Sequence, residues 1–182
     1  MRLKLPETGA WGDKATWEFQ LTREITPEQR QLTSAIACVA ITNFSRQEMI
    51  VTQSKRGLGM VAETIEPGET VEEAIKRGLL EEGGCLLGTA DRVSLFGMKK
   101  VVNNPNVAQK INYPPVGYMP YYYATISRPR VPHTGKEIIE CGPRPFDDIV
   151  ELVKNGLLDE GEGAIMEAGF LTAQEDRVRG RF

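Results

Sequence analysis

Histidine is almost missing from this chain: His133 stands alone among 182 residues. One imidazole cannot build a histidine-ligated metal centre, and no Gly-x-Ser-x-Gly accompanies it, so Ser-His hydrolase chemistry has little support. Cysteine is sparse as well. Cys38, Cys85 and Cys141 are odd in number, far apart and without a Cys-x-x-Cys, which argues against a disulfide framework or thiolate zinc site and leaves buried free thiols. No apolar run approaches the roughly 18 residues of a membrane-spanning helix. The N-terminal Met-Arg-Leu-Lys-Leu-Pro-Glu lacks the apolar core of a signal peptide, so a soluble, cytoplasmic protein is the expectation. A net charge of −3 and a pI near 5.4 leave no polybasic face for nucleic acid or membranes. There is no Walker-type Gly-x-x-x-x-Gly-Lys-Ser/Thr. Residues 57–62, Gly-Leu-Gly-Met-Val-Ala, imitate a dinucleotide fingerprint but lead into Glu-Pro-Gly instead of a helix.

What the chain has is carboxylate. Seven glutamates fall between Glu63 and Glu82. Pro67-Gly68 marks a turn and Thr70-Val71-Glu72-Glu73 has the form of a capping box, which predicts a helix from Val71 to the Gly83-Gly84 stop. Val71, Ile75 and Leu79, with Ala74 and Leu80, form a stripe that packs on a core. Glu72–Lys76 and Glu73–Arg77 are acid-first i,i+4 pairs, explained as a solvated face at about 0.2–0.5 kcal/mol each. Glu81 and Glu82 have no such explanation, because acids at a helix C-terminus oppose the macrodipole. A divalent cation would compensate, and carboxylates without His or Cys suit Mg²⁺ or Mn²⁺. Glu69, just ahead of the helix, can approach the same site across the turn.

On these residues the stretch resembles the Nudix box: Gly, five residues, Glu, seven residues, Arg-Glu, an apolar residue, any residue, Glu-Glu, any residue, Gly and an apolar residue. With Glu69 on the first Glu, Arg77, Leu79, Glu81, Glu82, Gly84 and Cys85 take their positions in unbroken register. The resemblance implies an α/β fold, a Nudix-type α/β/α sandwich with a central mixed β-sheet. It implies a single domain: an N-terminal extension (1–32), a core (33–172) and a polar tail (173–182). It further implies a hydrolase cleaving the diphosphate of a nucleoside diphosphate linked to another moiety. ADP-ribose or a nucleotide sugar is preferred on the strength of the extension, which also suggests a homodimer. The implied cofactor is Mg²⁺ (or Mn²⁺), with catalytic Glu82, Glu81, Glu69 and Arg77, and metal ligands drawn from Glu81, Glu82, Glu69 and Glu63.

Two positions depart from the pattern. Glu63 stands where the first Gly belongs, and Gly78 stands where the Glu after the Arg belongs, a usual metal ligand in the family. The exchanges are opposite, and two readings stay open. Either the Glu63 carboxylate reaches into the space left at Gly78 and restores the ligand set, or the site has decayed into a nucleotide-binding or regulatory module. A glycine inside a helix costs about 1 kcal/mol relative to Ala, so Gly78 implies close approach by a ligand or another segment.

The other segments alternate between strand and helix signals. Residues 17–21 alternate as a strand, Thr26-Pro27 opens a short helix, 35–41 form a continuous apolar run expected of a buried central strand, and 49–52 return beside it. Strands are expected over 92–98, 118–126, where Pro120 places a bulge or an edge, and 137–141. Helices are expected over 146–156 and 164–173. Tyr121, Tyr122 and Tyr123 put rings on both faces of one strand. Tyr121 and Tyr123 are candidates to stack on a nucleobase, with core packing as the competing explanation. Arg128 and Arg130, in the cation-rich loop 128–136, are candidate phosphate contacts, with solvated loop charge as the alternative. By the resemblance, Glu137 and Glu140 are candidates for a further ligand or base, and specificity lies within 99–117 and 128–136.

Overall fold

The computed structural model describes residues 3–106, 114–128 and 130–181. Its strands are β1 (Thr8–Ala10), β2 (Ala15–Leu21), β3 (Ala35–Asn43), β4 (Glu48–Ser54), β5 (Gly57–Gly59), β6 (Val61–Thr64), β7 (Val93–Asn103), β8 (Val116–Thr125) and β9 (Ile138–Pro145). Its helices are α1 (Pro27–Gln31), α2 (Val71–Glu81), α3 (Phe146–Lys154) and α4 (Glu160–Val178). The sheet runs β1-β2-β7-β8-β3-β4-β5, with β6 also on β3 and β9 also on β4. It is mixed because β3 and β8 pair in parallel, from Ala37 with Tyr121 to Ile41 with Thr125.

The apolar run in β3 creates the layers. Ile36, Cys38 and Ala40 pack toward Ala74, Ile75 and Leu79 of α2. Ala37, Val39 and Ile41 pack toward Ile149 of α3 and Ile165 and Phe170 of α4. Side chains alternate across a strand, so a run apolar at every position needs cover on both faces. The result is the expected α/β/α sandwich.

Three features differ from the sequence expectation in extent. β7 continues to Asn103 because β2, from the N-terminal extension, pairs along it from Leu21 with Gly97 to Ala15 with Asn103. The bulge expected near Pro120 falls on β7, between Leu95 and Gly97. Pro120 itself sits one residue before the parallel ladder with β3 begins, a gap where a missing donor is tolerated. Finally, residues expected as a polar tail include the last turns of α4. There Asp176 is buried, accepting hydrogen bonds from Tyr123 Oη (2.7 Å) and Arg23 (2.7 and 3.1 Å). Polarity signalled solvent, but arginines neutralise this acid inside the fold. Residues 107–113 and Pro129, within the two expected specificity loops, lie outside the described residues.

Candidate active site

The capping box starts α2 as its sequence dictates: Glu73 N donates to Thr70 Oγ1 (3.3 Å) and Thr70 N to Glu73 Oε2 (2.8 Å). The other end is completed by the loop after β8. Gly135 N donates to Glu81 O (2.7 Å), Val131 N to Gly84 O (2.9 Å) and Arg130 Nε to Gly83 O (3.0 Å). These donors satisfy carbonyls that the helix leaves open, and Arg130 brings a cation to the negative end of the macrodipole. Arg130 also donates to Cys141 O (3.0 Å), so its guanidinium is engaged in holding this loop.

Arg77 projects from α2 into a knot of acids. Its Nε and Nη2 grip Glu69 in a two-pronged pair (2.9 and 3.0 Å), Nη1 donates to Glu63 Oε2 (2.9 Å), and Nη2 also reaches Thr64 O (2.7 Å). Glu81 lies 3.5 Å from the same guanidinium. The hydrogen bonds from Arg77 hold the Glu69 carboxyl below its ordinary range. Burial pushes Glu63 up, and Arg77 works against that rise.

Gly78 is what lets Glu63 in. A Cβ at position 78 would lie 2.5 Å from Glu63 Cγ and 3.2 Å from Val61 Cγ1. Any side chain there would displace β6 or the stem of Glu63. The glutamate from β6 therefore does occupy the space over Gly78 that the exchange of residue types suggested.

These residues open on a cleft of about 670 Å³, lined in part by Glu63, Glu81, Glu82, Glu137, Arg56 and Lys136. Glu82 Oε2 accepts from Ala62 N (2.8 Å). Burial, opposed by that hydrogen bond and assisted by the charges of Glu63 and Glu137, pushes its carboxyl up to about 7. Glu69 is joined to the cleft acids through Arg77, and Glu140 lines a separate groove beside β4 and β9.

The other predicted residues are placed elsewhere. Tyr121 and Tyr123 are buried on the α3/α4 side of the sheet, Tyr121 edge-on to Phe19 at 5.4 Å between ring centroids. Arg128 is exposed in a groove with Tyr122 on the α2 side. Sequence reasoning missed three cleft residues: Arg56 in the β4–β5 turn, Lys136 as an individual, and Trp11 in the β1–β2 turn. The available signals were an aromatic before a turn glycine and a Lys-Arg pair before a hairpin glycine. Their meeting depends on contacts far apart in sequence.

The donor set is all carboxylate, which suits Mg²⁺ or Mn²⁺. Among the described residues, no group of three or more His, Cys, Asp or Glu is arranged to hold a metal ion. Mg²⁺ is commonly held by one or two carboxylates, with water and substrate phosphates completing its octahedron. Adjacent Glu81 and Glu82, the second a half-buried acid crowded by like charge, fit that mode and not a dedicated protein cage.

A family model of the NUDIX domain matches residues 31–167. The chain belongs to the NUDIX family. Solved Nudix structures share its fold. A NUDIX hydrolase from Nitrosomonas europaea aligns with a TM-score of 0.57 at 17% identity, over 78% of this chain and 90% of that one. The NUDIX domain of Shewanella oneidensis NrtR, crystallised with ADP ribose, aligns at 0.56 and 14% identity, over 79% and 90%. A mutant of the Bacillus subtilis pyrophosphohydrolase BsRppH aligns at 0.54 and 19% identity, over 71% and 72%. Comparison with curated proteins finds no match.

Proposed function

We propose that this Nudix protein is a pyrophosphohydrolase that cleaves the diphosphate of a nucleoside diphosphate linked to another moiety, using Mg²⁺ or Mn²⁺. The observation that carries the reading is the convergence of Glu81, Glu82 and Glu63 on one open cleft that also contains Arg56 and Lys136. Membership of the family and hydrolases among its structural neighbours support it. Glu81 and Glu82 would hold the cation, with Glu63 reaching it from β6 over Gly78. Bound there, the cation supplies charge neutralisation at the diphosphate and Lewis acidity toward the attacking water. Arg77 positions Glu63 and Glu69, and Arg56 and Lys136 offer hydrogen-bond donors to the diphosphate. ADP-ribose or a nucleotide sugar is the preferred substrate, consistent with the ADP ribose in the NrtR domain. No described helix is long and apolar enough to cross a membrane, and we place the protein in the cytoplasm as a homodimer.

One observation favours a second reading, a Nudix-like module that binds nucleotide without turnover: Arg77 already pairs with both Glu63 and Glu69. Product release from ADP-ribose, nucleotide sugars and dinucleoside polyphosphates, measured with Mg²⁺ and with Mn²⁺ for wild type and Glu82→Gln, separates the two. The hydrolase reading expects turnover that needs the cation and falls at least about a hundredfold in the variant, as when a charge-stabilising group is removed. Thermal stabilisation by the same nucleotides without any turnover would replace it with the binding module.

A further inference from the structure

Trp11 and Met119 line the same cleft as the acids, and both also line an adjoining hollow of about 130 Å³. Trp11 is the one aromatic residue in the cleft lining among the described residues, and it is 43% exposed. The hollow beyond it is walled by Val101, Pro114 and Gly117, with Ser34, Asn103 and Tyr118 as polar edges. One end of the cavity is thus suited to charged phosphate and metal, and the other to a flat, largely apolar ring.

The turn that carries the indole is held in place before any ligand arrives. Trp11 N donates to Ala15 O (2.8 Å) and Lys14 N to Trp11 O (3.1 Å), closing the β1–β2 turn, where Gly12 takes a left-handed φ of 60°. Asn104 fastens that turn to the end of β7 through its N to Lys14 O (2.8 Å) and its Nδ2 to Asp13 O (3.0 Å). From below, Lys99 Nζ lies 5.5 Å from the Trp11 ring centroid and 4.3 Å from that of buried Trp17. An aromatic side chain with two rotatable bonds on an anchored turn loses little freedom on stacking.

We propose that Trp11 is the nucleobase platform of this cleft: the base of a nucleoside diphosphate derivative stacks on its exposed indole while the diphosphate lies toward Lys136, Arg56 and the carboxylates. The assignment rests on the diphosphate chemistry proposed above and adds a specificity residue to it. It also removes the need for Tyr121 or Tyr123, which are in the core, to contact a base.

The test uses the full chain and two probes with Mg²⁺, ADP and inorganic pyrophosphate, which share the diphosphate and differ in the nucleoside. Binding is followed by calorimetry and by tryptophan emission, Trp17 being buried and Trp11 exposed. ADP is expected to quench the wild-type emission. Trp11→Ala is expected to weaken ADP by about ten- to a hundredfold, the range for loss of base–aromatic stacking, and to leave pyrophosphate unchanged. Trp11→Phe restores most of the ADP affinity. Equal weakening of ADP and pyrophosphate, undiminished ADP binding by Trp11→Ala, or wild type that binds pyrophosphate and not ADP would each overturn the platform. Base-dependent binding without turnover of any nucleotide would count against the hydrolase reading alone.

Discussion

Two arginine–carboxylate clusters of three or more charged groups lie among the described residues, and they are opposites. In the last turns of α4, Asp176 accepts from Arg23, Arg181 and Tyr123, so two cations and a hydroxyl serve one acid whose side chain is 4% exposed. At the cleft, Arg77 faces Glu63, Glu69 and Glu81, one cation for three acids, with the Glu81 side chain 40% exposed. With its one carboxylate buried and accepting from all three donors, the first leaves no acid free for a cation. The second carries surplus negative charge into a cavity, where an external cation would relieve it. Ion pairing is common to both; an excess of acid over base, and the opening of Glu63 and Glu81 on a cleft, distinguish the candidate site.

Breaking the closed cluster should have the largest effect on stability. Asp176→Ala strands Arg23 and Tyr123 and is expected to cost about 3 kcal/mol in denaturant unfolding, with turnover per folded molecule unchanged. A loss of turnover without a loss of stability would erase the distinction. Next comes the open cluster: Gly78→Ala forces Glu63 aside and should cost about 1–2 kcal/mol despite the better helix propensity of Ala. Adding Glu63→Gly should recover that stability without recovering turnover, and a double-mutant cycle reads the coupling.

A smaller effect sharpens the comparison through pH. Glu82 is an acid whose folded pKa, about 7, lies above its ordinary 4.5, so the folded state retains the proton between those values. Its contribution to stability is whole below about pH 4.5 and is lost as pH rises through 7. Without divalent cations, Glu82→Gln should match wild type at pH 4.5 and exceed it at pH 8 by about 1 kcal/mol, after discounting for solvent screening. Equal melting temperatures at both values would show that the carboxylate is not crowded. Smallest of all, Arg128→Ala should change stability by less than about 0.5 kcal/mol, as expected of an exposed charge outside both clusters.

Much of this architecture was legible locally. The apolar run of β3, the capping box of α2 and the unbroken box register are short-range signals, and they specified the sandwich and the acids at the helix end. Gly78 was legible too, as a helix interior residue needing a reason, and Glu63 supplies it. The tyrosines illustrate the limit: alternation places rings on both faces of β8, but only the packing of α3 and α4 reveals that Tyr121 and Tyr123 are covered. Trp11, Arg56 and Lys136 come from three turns, brought together by pairings that no local window contains. Asp176 looked like tail because its partners, Arg23 and Tyr123, are far away in sequence.

The pairing of β2 with β7 has a consequence for how the protein is made. Ala15 must wait for Asn103, so during synthesis the first strands leave the ribosome long before their partner exists. Such non-local closure is slow, and unpaired strands are exposed to stray association in the interval. Chains lacking residues 1–21 would leave β7 as a bare edge, and aggregation during refolding would report it. The cleft is correspondingly late to mature: its Trp11 wall can be seated only when β2 has found β7.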